Sequence, residues 1–530
     1  MDFQTPALIP KPVETQVRDG VFRLRKETAI EVADGRSEAV FVAEYLANAL
    51  RATTGFELPV ARSASSANAI RLEIADIGAD WGEEGYELTV LPDVAVLRAA
   101  AVKGLIMGIQ TIRQLLPEDA FIGGRPGECG AWPLPCLRIR DKPRYRLRGF
   151  MLDCSRRFLS LDFIKRSIDM GVYLKMNVLH WHFVDNEGWR PEIRRYPRLT
   201  EIGAFVGDDP TRHGSYSQEE MKEIVAYARA RHVMVIPEVE IPGHTFAAML
   251  AYPDLCCTGK PIHNPGHSKD LYCAGNDKVF EFLENVFGEL TGIFPAPFFH
   301  VGGDEAPKER WKACPRCQER IRAEGLSGEA ELQGYVCQRA GLILKRMGKR
   351  LIGWEEILDG ARRLPQDAIV HWWRRRTLGD KYAVEAARAG FDVVASPNSN
   401  VYLSFPVNPG GVYAKDRTID LTQAYLADYT PEGLGAQERD RLLGAWYCVW
   451  TTFVKQEEIE AAIYPRALAV AERLWSPAVV RDFDDFHTRL KQHYCRLDAM
   501  GIRHGAAFRT RCAQDESPAA NAREAGKLDG

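Results

Sequence analysis

The sequence has little of what marks membrane, disulfide-rich or nucleic-acid-binding proteins. No apolar run approaches the roughly 18 residues that a bilayer-spanning helix requires. Twelve cysteines in 530 residues are too few for a disulfide scaffold. The net charge of −3 gives no reason to expect nucleic acid or a membrane as a partner. A composition of 46% apolar and 27% charged residues indicates a globular protein, long enough for a barrel and an accessory domain.

Two sequence signals are also missing. The first residues have neither the basic nor the apolar segment of a secretory leader, so we expect a cytoplasmic protein, or a secreted or periplasmic one if a leader was removed beforehand. No Gly-x-Gly-x-x-Gly motif follows an early strand, which disfavours a dinucleotide-binding open sheet.

Residues 1–143 have the pattern of a small α+β accessory domain. Residues 68–74 alternate as a half-buried strand does, and 86–90 and 94–99 flank a Leu-Pro-Asp turn as a hairpin. Residues 102–116 show helical periodicity. This region carries no evident chemistry.

Residues 144–508 have a repeated strand–loop–helix pattern, with helical stretches such as 219–231 and 332–347. This alternation predicts a (β/α)8 barrel, with a doubly wound open sheet as the alternative. A polar tail, 509–530, is expected to lack fixed structure. The strand candidates are 148–154, 176–184, 232–238, 297–301, 349–354, 368–372, 391–395 and 442–450.

The most informative stretch is 298–307, an apolar run that ends in two glycines and the adjacent acids Asp304 and Glu305. A buried barrel strand delivers acids to the rim in this way, and glycosidic bond cleavage needs one protonated and one ionised acid. The alternative is a helix N-terminus, where the two acids complement the helix dipole.

The other strand ends supply more acids, an arginine and several tryptophans. Indole faces stack on sugar rings, and charged groups bind sugar hydroxyls, so their convergence predicts a carbohydrate site. Strand seven, 391–397, ends without the glutamate that a two-carboxylate retaining enzyme would place there. Asp304 is therefore expected to assist a nucleophile that the substrate carries, such as the carbonyl oxygen of a 2-acetamido group.

A set of motifs is spread along the chain: 148–156, 179–190, 237–244, His300 to Glu305, Pro465-Arg466 and 471–476. Together they resemble glycoside hydrolase family 20, the β-N-acetylhexosaminidases, over nearly the whole chain.

The resemblance implies an exo-acting enzyme that removes terminal β-linked GlcNAc or GalNAc through an oxazolinium intermediate. It implies Glu305 as general acid and base, with Asp304 and Tyr402 holding the acetamide, and Asp304 helping to keep Glu305 protonated. Substrate-binding and supporting positions would be Arg156, Asp185, His244, Trp354, Trp373, Trp450, Glu240 and His300.

The sequence departs from the family pattern where acids usually address the C4 and C6 hydroxyls. Ser404 and Thr452 stand at those positions, and Asn186 replaces a common aspartate. One hypothesis is a preference for galacto-configured or 6-sulfated sugars, in which Arg374, Arg375 or Arg376 would bind the sulfate. We favour the plainer interpretation that other loop residues replace the lost contacts and GlcNAc is still cleaved.

Metal sites and cofactors are not expected. Cys314 and Cys317 have zinc-knuckle spacing, which supplies half of a tetrahedral site. Cys256, Cys257 and Cys273 could complete that site or form a disulfide of their own, but we favour free thiols. Two rival classes remain: a metal-dependent amidohydrolase, because of the His180-Trp181-His182 segment, and a sugar-binding barrel without activity.

Overall fold

A computed structural model describes residues 5–32, 36–62, 67–127, 130–261, 268–408 and 417–505 of the chain, without the side chains of 361 and 362. The predicted polar tail, 509–530, lies outside these residues. Contacts divide the chain into two units, one formed by Met1–Arg144 with Glu460–Gly530 and the other by Tyr145–Ile459. The predicted barrel domain, 144–508, is longer than the second unit, because the described residues from Glu460 onward group with the N-terminal residues.

The first unit contains a mixed seven-stranded sheet in the order β1-β7-β5-β6-β4-β2-β3. Apolar side chains alternate along its strands, so one face is buried under the helices. The expected hairpin is β5–β6, paired antiparallel. The strands are β1 (Glu14–Leu24), β2 (Ala29–Val32), β3 (Val60–Ala61), β4 (Ala69–Ile74), β5 (Tyr86–Val90), β6 (Val94–Ala99) and β7 (Trp132–Asp141).

One of the helices in this unit begins at Val102 and ends at Leu115, which agrees with the helix predicted over 102–116. Asp141 anchors the last helices of the unit, because both of its carboxylate oxygens accept from the Trp475 indole N–H at 2.9 Å. The helices described before the barrel are α1 (Ser37–Thr54), α2 (Val102–Leu115) and α3 (Glu118–Phe121).

The second unit is a closed barrel of eight parallel strands. Every residue of its first two strands in sequence is buried, because both faces of the sheet are covered. A short hairpin, β10 (Val184–Asp185) with β11 (Gly188–Trp189), extends from the second barrel strand. The barrel strands are β8 (Leu147–Asp153), β9 (Val178–His182), β12 (Met234–Ile241), β13 (Phe298–Gly302), β14 (Arg350–Trp354), β15 (Ile369–Trp372), β16 (Asp392–Ala395) and β17 (Leu442–Val449).

Helices connect most of the successive barrel strands, and several begin at side-chain caps. The Ser217 hydroxyl and Glu220 form a reciprocal capping box at the start of the sixth helix, which satisfies backbone N–H groups there. The helices from the barrel to the end of the described chain are α4 (Leu161–Tyr173), α5 (Arg198–Glu201), α6 (Gln218–Ala230), α7 (Phe246–Ala251), α8 (Asp277–Ile293), α9 (Glu309–Ala313), α10 (Pro315–Ala323), α11 (Glu329–Arg346), α12 (Arg375–Leu378), α13 (Lys381–Arg388), α14 (Leu421–Leu426), α15 (Ala436–Arg439), α16 (Gln456–Ile463), α17 (Arg466–Trp475) and α18 (Phe483–Ala499).

The barrel prediction is confirmed, since each of the eight strand candidates overlaps one barrel strand. The third candidate, 232–238, extends three residues further as β12 and so carries Glu240 on the strand itself. No helix among the described residues is long and apolar enough to cross a bilayer.

Candidate active site

A cavity of about 490 Å³ opens at the carboxyl ends of the barrel strands. Most residues proposed from the sequence line it: Arg156, His244, Asp304, Glu305, Trp354, Trp373, Tyr402, Trp450 and Thr452. The lining also includes residues for which the sequence pattern gave no role: Thr377, Asn398, Phe405, Arg417 and Phe453. Four proposed residues, Asp185, Glu240, His300 and Ser404, are not part of the lining.

Aromatic rings form one wall of the cavity. Tyr402 is stacked on Trp373 with 6.1 Å between ring centroids and 6° between planes. Trp354 meets Trp373 edge-on at 6.4 Å and lies 6.1 Å from Trp450. Burial raises the pKa of Tyr402 well above its ordinary value, so its hydroxyl keeps its proton and can donate a hydrogen bond. These rings can bind the C–H face of a sugar.

The two adjacent acids leave β13 through a glycine turn. Gly302 has a φ of +67°, and a Cβ there would lie 1.5 Å from Oε2 of Glu240. Only glycine fits such a close approach in a left-handed conformation. Glu305 itself has a φ of +44°, and its side chain is 55% exposed, whereas that of Asp304 is 13% exposed. The turn therefore gives two consecutive carboxylates different surroundings.

His244 bridges the two acids. Its Nε2 atom lies 3.5 Å from Oδ2 of Asp304 and 3.5 Å from Oε2 of Glu305. Its Nδ1 atom lies 3.0 Å from Oδ1 of Asp185. Burial alone would lower the pKa of His244, but the carboxylates of Asp185 and Asp304 outweigh it and raise the pKa well above the ordinary value. The ring is an imidazolium with a carboxylate on each side.

The pKa values of the two acids are shifted in opposite directions. Burial is the main reason that the pKa of Asp304 is raised, and the Glu305 charge adds to it. The pKa of Glu305 is lowered, first by its hydrogen bond with His244. In the free protein His244 favours the Glu305 carboxylate, a direction opposite to the expected help of Asp304 in keeping Glu305 protonated.

Arg156 and Asp185 form a buried pair at the edge of the site. Nη2 of Arg156 lies 2.6 Å from Oδ2 of Asp185, and its guanidinium stands 4.9 Å from the centroid of the Trp450 ring. Burial opposes ionisation of Asp185, but Arg156 and His244 lower its pKa well below the ordinary value. Asp185 does not line the cavity; it orients Arg156 and His244, which do.

A carboxylate that the sequence analysis left without a role, Glu238 of β12, lies fully buried within the barrel. It bonds with His182 Nδ1, lies 2.9 Å from His180 Nε2 and 2.8 Å from His300 Nδ1, and accepts from the Trp354 indole at 2.9 Å. Burial would raise its pKa, yet the three histidines lower it well below the ordinary value. Its place at a strand end was the available signal, but the convergence of four partners on it depends on barrel closure.

Ser404 and Thr452, which stand where the family pattern has acids for the C4 and C6 hydroxyls, differ in position. The Ser404 hydroxyl accepts a hydrogen bond from the Trp450 backbone N–H at 3.2 Å, and the residue is buried. Thr452 lines the cavity. Of these two, Thr452 is therefore the one placed to contact a ligand in this geometry.

The three consecutive arginines after β15 also differ in position. Arg374 and Arg376 line the cavity. Arg375 does not, since its guanidinium bonds the Asp428 carbonyl at 2.7 Å and pairs with Asp380 at 2.9 Å. Arg374 Nε lies 2.7 Å from Glu355 Oε1, while its buried Nη2 has no hydrogen-bond partner among the described residues. Arg374 thus lines the cavity and also carries a buried N–H group that lacks a hydrogen-bond partner.

A pocket with acids, an arginine and stacked aromatic rings at the carboxyl ends of a (β/α)8 barrel defines a carbohydrate-active enzyme. The model of the glycosyl hydrolase family 20 catalytic domain matches residues 145–478, and that of family 20 domain 2 matches residues 5–142. The chain belongs to glycosyl hydrolase family 20 and is a glycoside hydrolase.

Curated relatives and solved structures agree with this assignment. The chain is 39% identical over 513 residues to a beta-hexosaminidase of Porphyromonas gingivalis, covering 94% of this chain and 64% of that relative. It is 35% identical over 422 residues to one of Akkermansia muciniphila, covering 77% and 83%. The chain thus spans a little less than two thirds of the Porphyromonas protein.

Among solved structures, the beta-N-acetylhexosaminidase of Bacteroides fragilis superposes with a TM-score of 0.83 at 33% identity, over 94% of this chain and 96% of that one. The exo beta-N-acetylglucosaminidase of Vibrio harveyi, in complex with N-acetylglucosamine, gives a TM-score of 0.84 at 28% identity, over 96% and 80%.

Proposed function

We infer that the protein removes terminal β-linked N-acetylhexosamine, GlcNAc or GalNAc, and that the 2-acetamido group of the substrate is the nucleophile. The observation that carries this inference is the position of the two acids. Both lie 3.5 Å from the same His244 nitrogen, and no other carboxylate lines the cavity within the described ranges.

The separation of the two acids is close to the roughly 5 Å of a two-carboxylate retaining pair, since their facing oxygens lie within 4.8 Å of one another. Their surroundings differ from such a pair, because Asp304 and Glu305 are consecutive residues that share one imidazole nitrogen. The described cavity lining holds no third carboxylate, so we assign the nucleophile to the acetamide carbonyl oxygen of the substrate and give Asp304 the role of stabilising it.

The surrounding side chains suit each step of such a mechanism. Asp304, when ionised, would stabilise the positive charge that develops on the acetamide nitrogen, and the Tyr402 hydroxyl would donate to the acetamide oxygen. Glu305 would protonate the leaving oxygen and later take a proton from water. A bound sugar would cover Glu305 and exclude water, which raises its pKa toward the value that a general acid needs.

A panel of 4-nitrophenyl β-glycosides tests this mechanism. We expect turnover of the GlcNAc and GalNAc substrates and little turnover of the glucoside, which has no acetamide. Fluorination of the acetyl methyl group should lower kcat progressively, because it weakens the carbonyl oxygen as a nucleophile. Cleavage of the glucoside at a comparable rate would show that the enzyme supplies its own nucleophile.

A second candidate substrate is a 6-sulfated GlcNAc glycoside. It is favoured by the unpartnered Nη2 of Arg374, by Arg376 in the lining and by Thr452 where the family pattern has an acid. We still place plain GlcNAc first, because other lining residues such as Asn398 can bind sugar hydroxyls. A kcat/KM for the GlcNAc substrate far above those of its GalNAc and 6-sulfo analogues would reject altered C4 and C6 recognition.

A further inference from the structure

Four cysteine side chains gather outside the cavity. The Sγ atoms of Cys257, Cys273, Cys314 and Cys317 all lie within 4.8 Å of one another, and none of the four forms a disulfide. None of the four residues lines the cavity. Three are buried, and Cys257 is partly exposed.

The distances between these sulfurs match the edges of a metal–thiolate tetrahedron. Sγ of Cys273 lies 3.8 Å from that of Cys314 and 3.7 Å from that of Cys317, which is 3.8 Å from that of Cys257. A zinc ion with Zn–S bonds of about 2.3 Å in a regular tetrahedron separates its sulfurs by about 3.8 Å. A disulfide needs about 2.05 Å, and these three separations differ from one another by no more than 0.1 Å.

The backbone places these sulfurs without further rearrangement. Cys314 precedes α10 and Cys317 lies in its first turn, with Pro315 at the first helical position. Cys273 N–H donates to the Leu255 carbonyl at 2.8 Å, which joins the two ends of the loop that carries Cys257. A Cβ on Gly275 would lie 2.2 Å from the Arg316 backbone, so this segment packs directly against the start of α10.

The charge around the cluster also suits thiolates. Four thiolates on one Zn²⁺ carry a net charge of −2, which requires nearby positive groups or N–H donors. Arg316, between the two cysteines of the knuckle, donates from Nη2 to the carbonyls of Cys256 and Cys257 at 3.4 Å. Its guanidinium is therefore held next to the backbone of Cys257, one of the four residues of the cluster.

We propose that Cys257, Cys273, Cys314 and Cys317 bind one structural Zn²⁺ ion. This replaces the expectation of free thiols drawn from the sequence. Four protein ligands complete a tetrahedron and leave no open position, so the ion stabilises structure and does not contact substrate. Thiolate ligands favour zinc over the harder cations magnesium and calcium.

The ion would join the two loops that carry the catalytic groups. Cys257 and Cys273 lie in the segment that follows β12 and His244, while Cys314 and Cys317 follow Asp304 and Glu305 after β13. Direct contacts already run between these segments: the Trp311 indole donates to the Tyr272 carbonyl at 2.9 Å, and Tyr272 N–H donates to the Pro242 carbonyl at 3.0 Å. By joining these loops, zinc would fix the position of His244 relative to Asp304 and Glu305 without contacting them.

The test measures metal on the full-length protein, purified without chelators and dialysed against metal-free buffer. We expect about one zinc per chain by elemental analysis, released when a mercurial reagent titrates the thiols. Cys257→Ser and Cys273→Ser should each lose most of the zinc. Cys256→Ser is the matched control, since Cys256 adjoins Cys257 but lies outside the cluster, and it should keep the full content.

Several outcomes would overturn the proposal. These are iron in place of zinc, less than a tenth of a zinc per chain even after zinc is supplied, or equal zinc in the wild type and both cluster variants. Disulfides found among these cysteines by mass spectrometry of the non-reduced protein would also overturn it. Zinc lost in His180→Ala but kept in Cys273→Ser would point to the amidohydrolase-type site instead.

Discussion

His244 and Glu305 face each other at the rim of the barrel, with 3.5 Å between Nε2 of the imidazolium and Oε2 of the carboxylate. The same nitrogen lies 3.5 Å from Oδ2 of Asp304. The His244 cation therefore favours the ionised form of both acids. Burial opposes ionisation more strongly at Asp304 than at Glu305, whose side chain is more exposed. This contrast gives the two adjacent residues opposite pKa shifts.

Replacing Glu305 with glutamine should lower kcat/KM for a GlcNAc glycoside by about 100- to 10,000-fold, because the amide cannot protonate the leaving oxygen. Affinity for the GlcNAc product, measured by calorimetry, should change little. Glu309→Gln, an exposed change on α9 four residues away, serves as the control and should leave activity intact. Unchanged turnover in Glu305→Gln would remove this residue from the role of general acid.

The pH profiles of the two kinetic constants should differ. In the free enzyme the lowered pKa of Glu305 means that its proton is lost early as pH rises, so kcat/KM should fall at comparatively low pH. In the complex the covering sugar raises that pKa, so the basic limb of kcat should lie at higher pH. Measuring both profiles on one substrate decides this, and coincident basic limbs would contradict it.

His244→Asn tests the cause of that shift. Removal of the imidazolium takes away the main influence that lowers the pKa of Glu305, so the basic limb of kcat/KM should move to higher pH. The maximum rate should also fall, since Asp304 then loses an opposite charge and ionises less readily. A profile of unchanged position with a lower rate would indicate that His244 acts through packing alone.

Two buried glutamates on β12 provide a matched pair for stability. Glu238 has a lowered pKa and is an ionised partner of three histidines, so Glu238→Gln should destabilise the fold by about 3–5 kcal/mol at pH 7. Glu240 has a raised pKa, mainly through burial, and its protonated form resembles glutamine. Glu240→Gln should therefore cost less than about 1.5 kcal/mol.

Urea unfolding at pH 7 measures both changes. The sign of the pH dependence follows from the same shifts. The stabilisation from Glu238 is present above its unfolded-state pKa, about 4.5, and is lost as pH falls through its lowered folded-state pKa. Glu240 should instead destabilise the wild type as pH rises above its own unfolded-state pKa, about 4.5, because its folded-state pKa is raised. Equal losses for the two variants would contradict the assignment of their charge states.

Thr452→Glu tests the cavity's tolerance of an anionic sugar. A carboxylate at this lining position should repel a 6-sulfate, so kcat/KM for the 6-sulfo-GlcNAc substrate should fall about tenfold more than that for GlcNAc. Thr488→Glu, an exposed change on α18, controls for added charge. An equal effect on both substrates would show that Thr452 does not face O6.

Much of the site was predictable from the sequence because strand positions and strand ends are local properties. Apolar runs bounded by turns predicted the eight strands, and parallel strands in a barrel bring their carboxyl ends to one rim. Asp304, Glu305, Arg156 and Trp450 could therefore be placed together before any distance was known. The two glycines similarly marked the end of the strand before the acids, but their close approach to Glu240 became visible only in the structure.

Tertiary structure alone decided what depends on distances between separate loops. Burial and the shared His244 imidazolium together shift the pKa values of Asp304 and Glu305 in opposite directions. Neither effect follows from the adjacency of the two residues in the sequence. The Ser404 hydroxyl bonds the backbone of Trp450, 46 residues away, so it is not in the cavity lining. Cys257, Cys273 and the Cys314–Cys317 knuckle meet because chain segments distant in sequence fold against each other, which no local periodicity encodes.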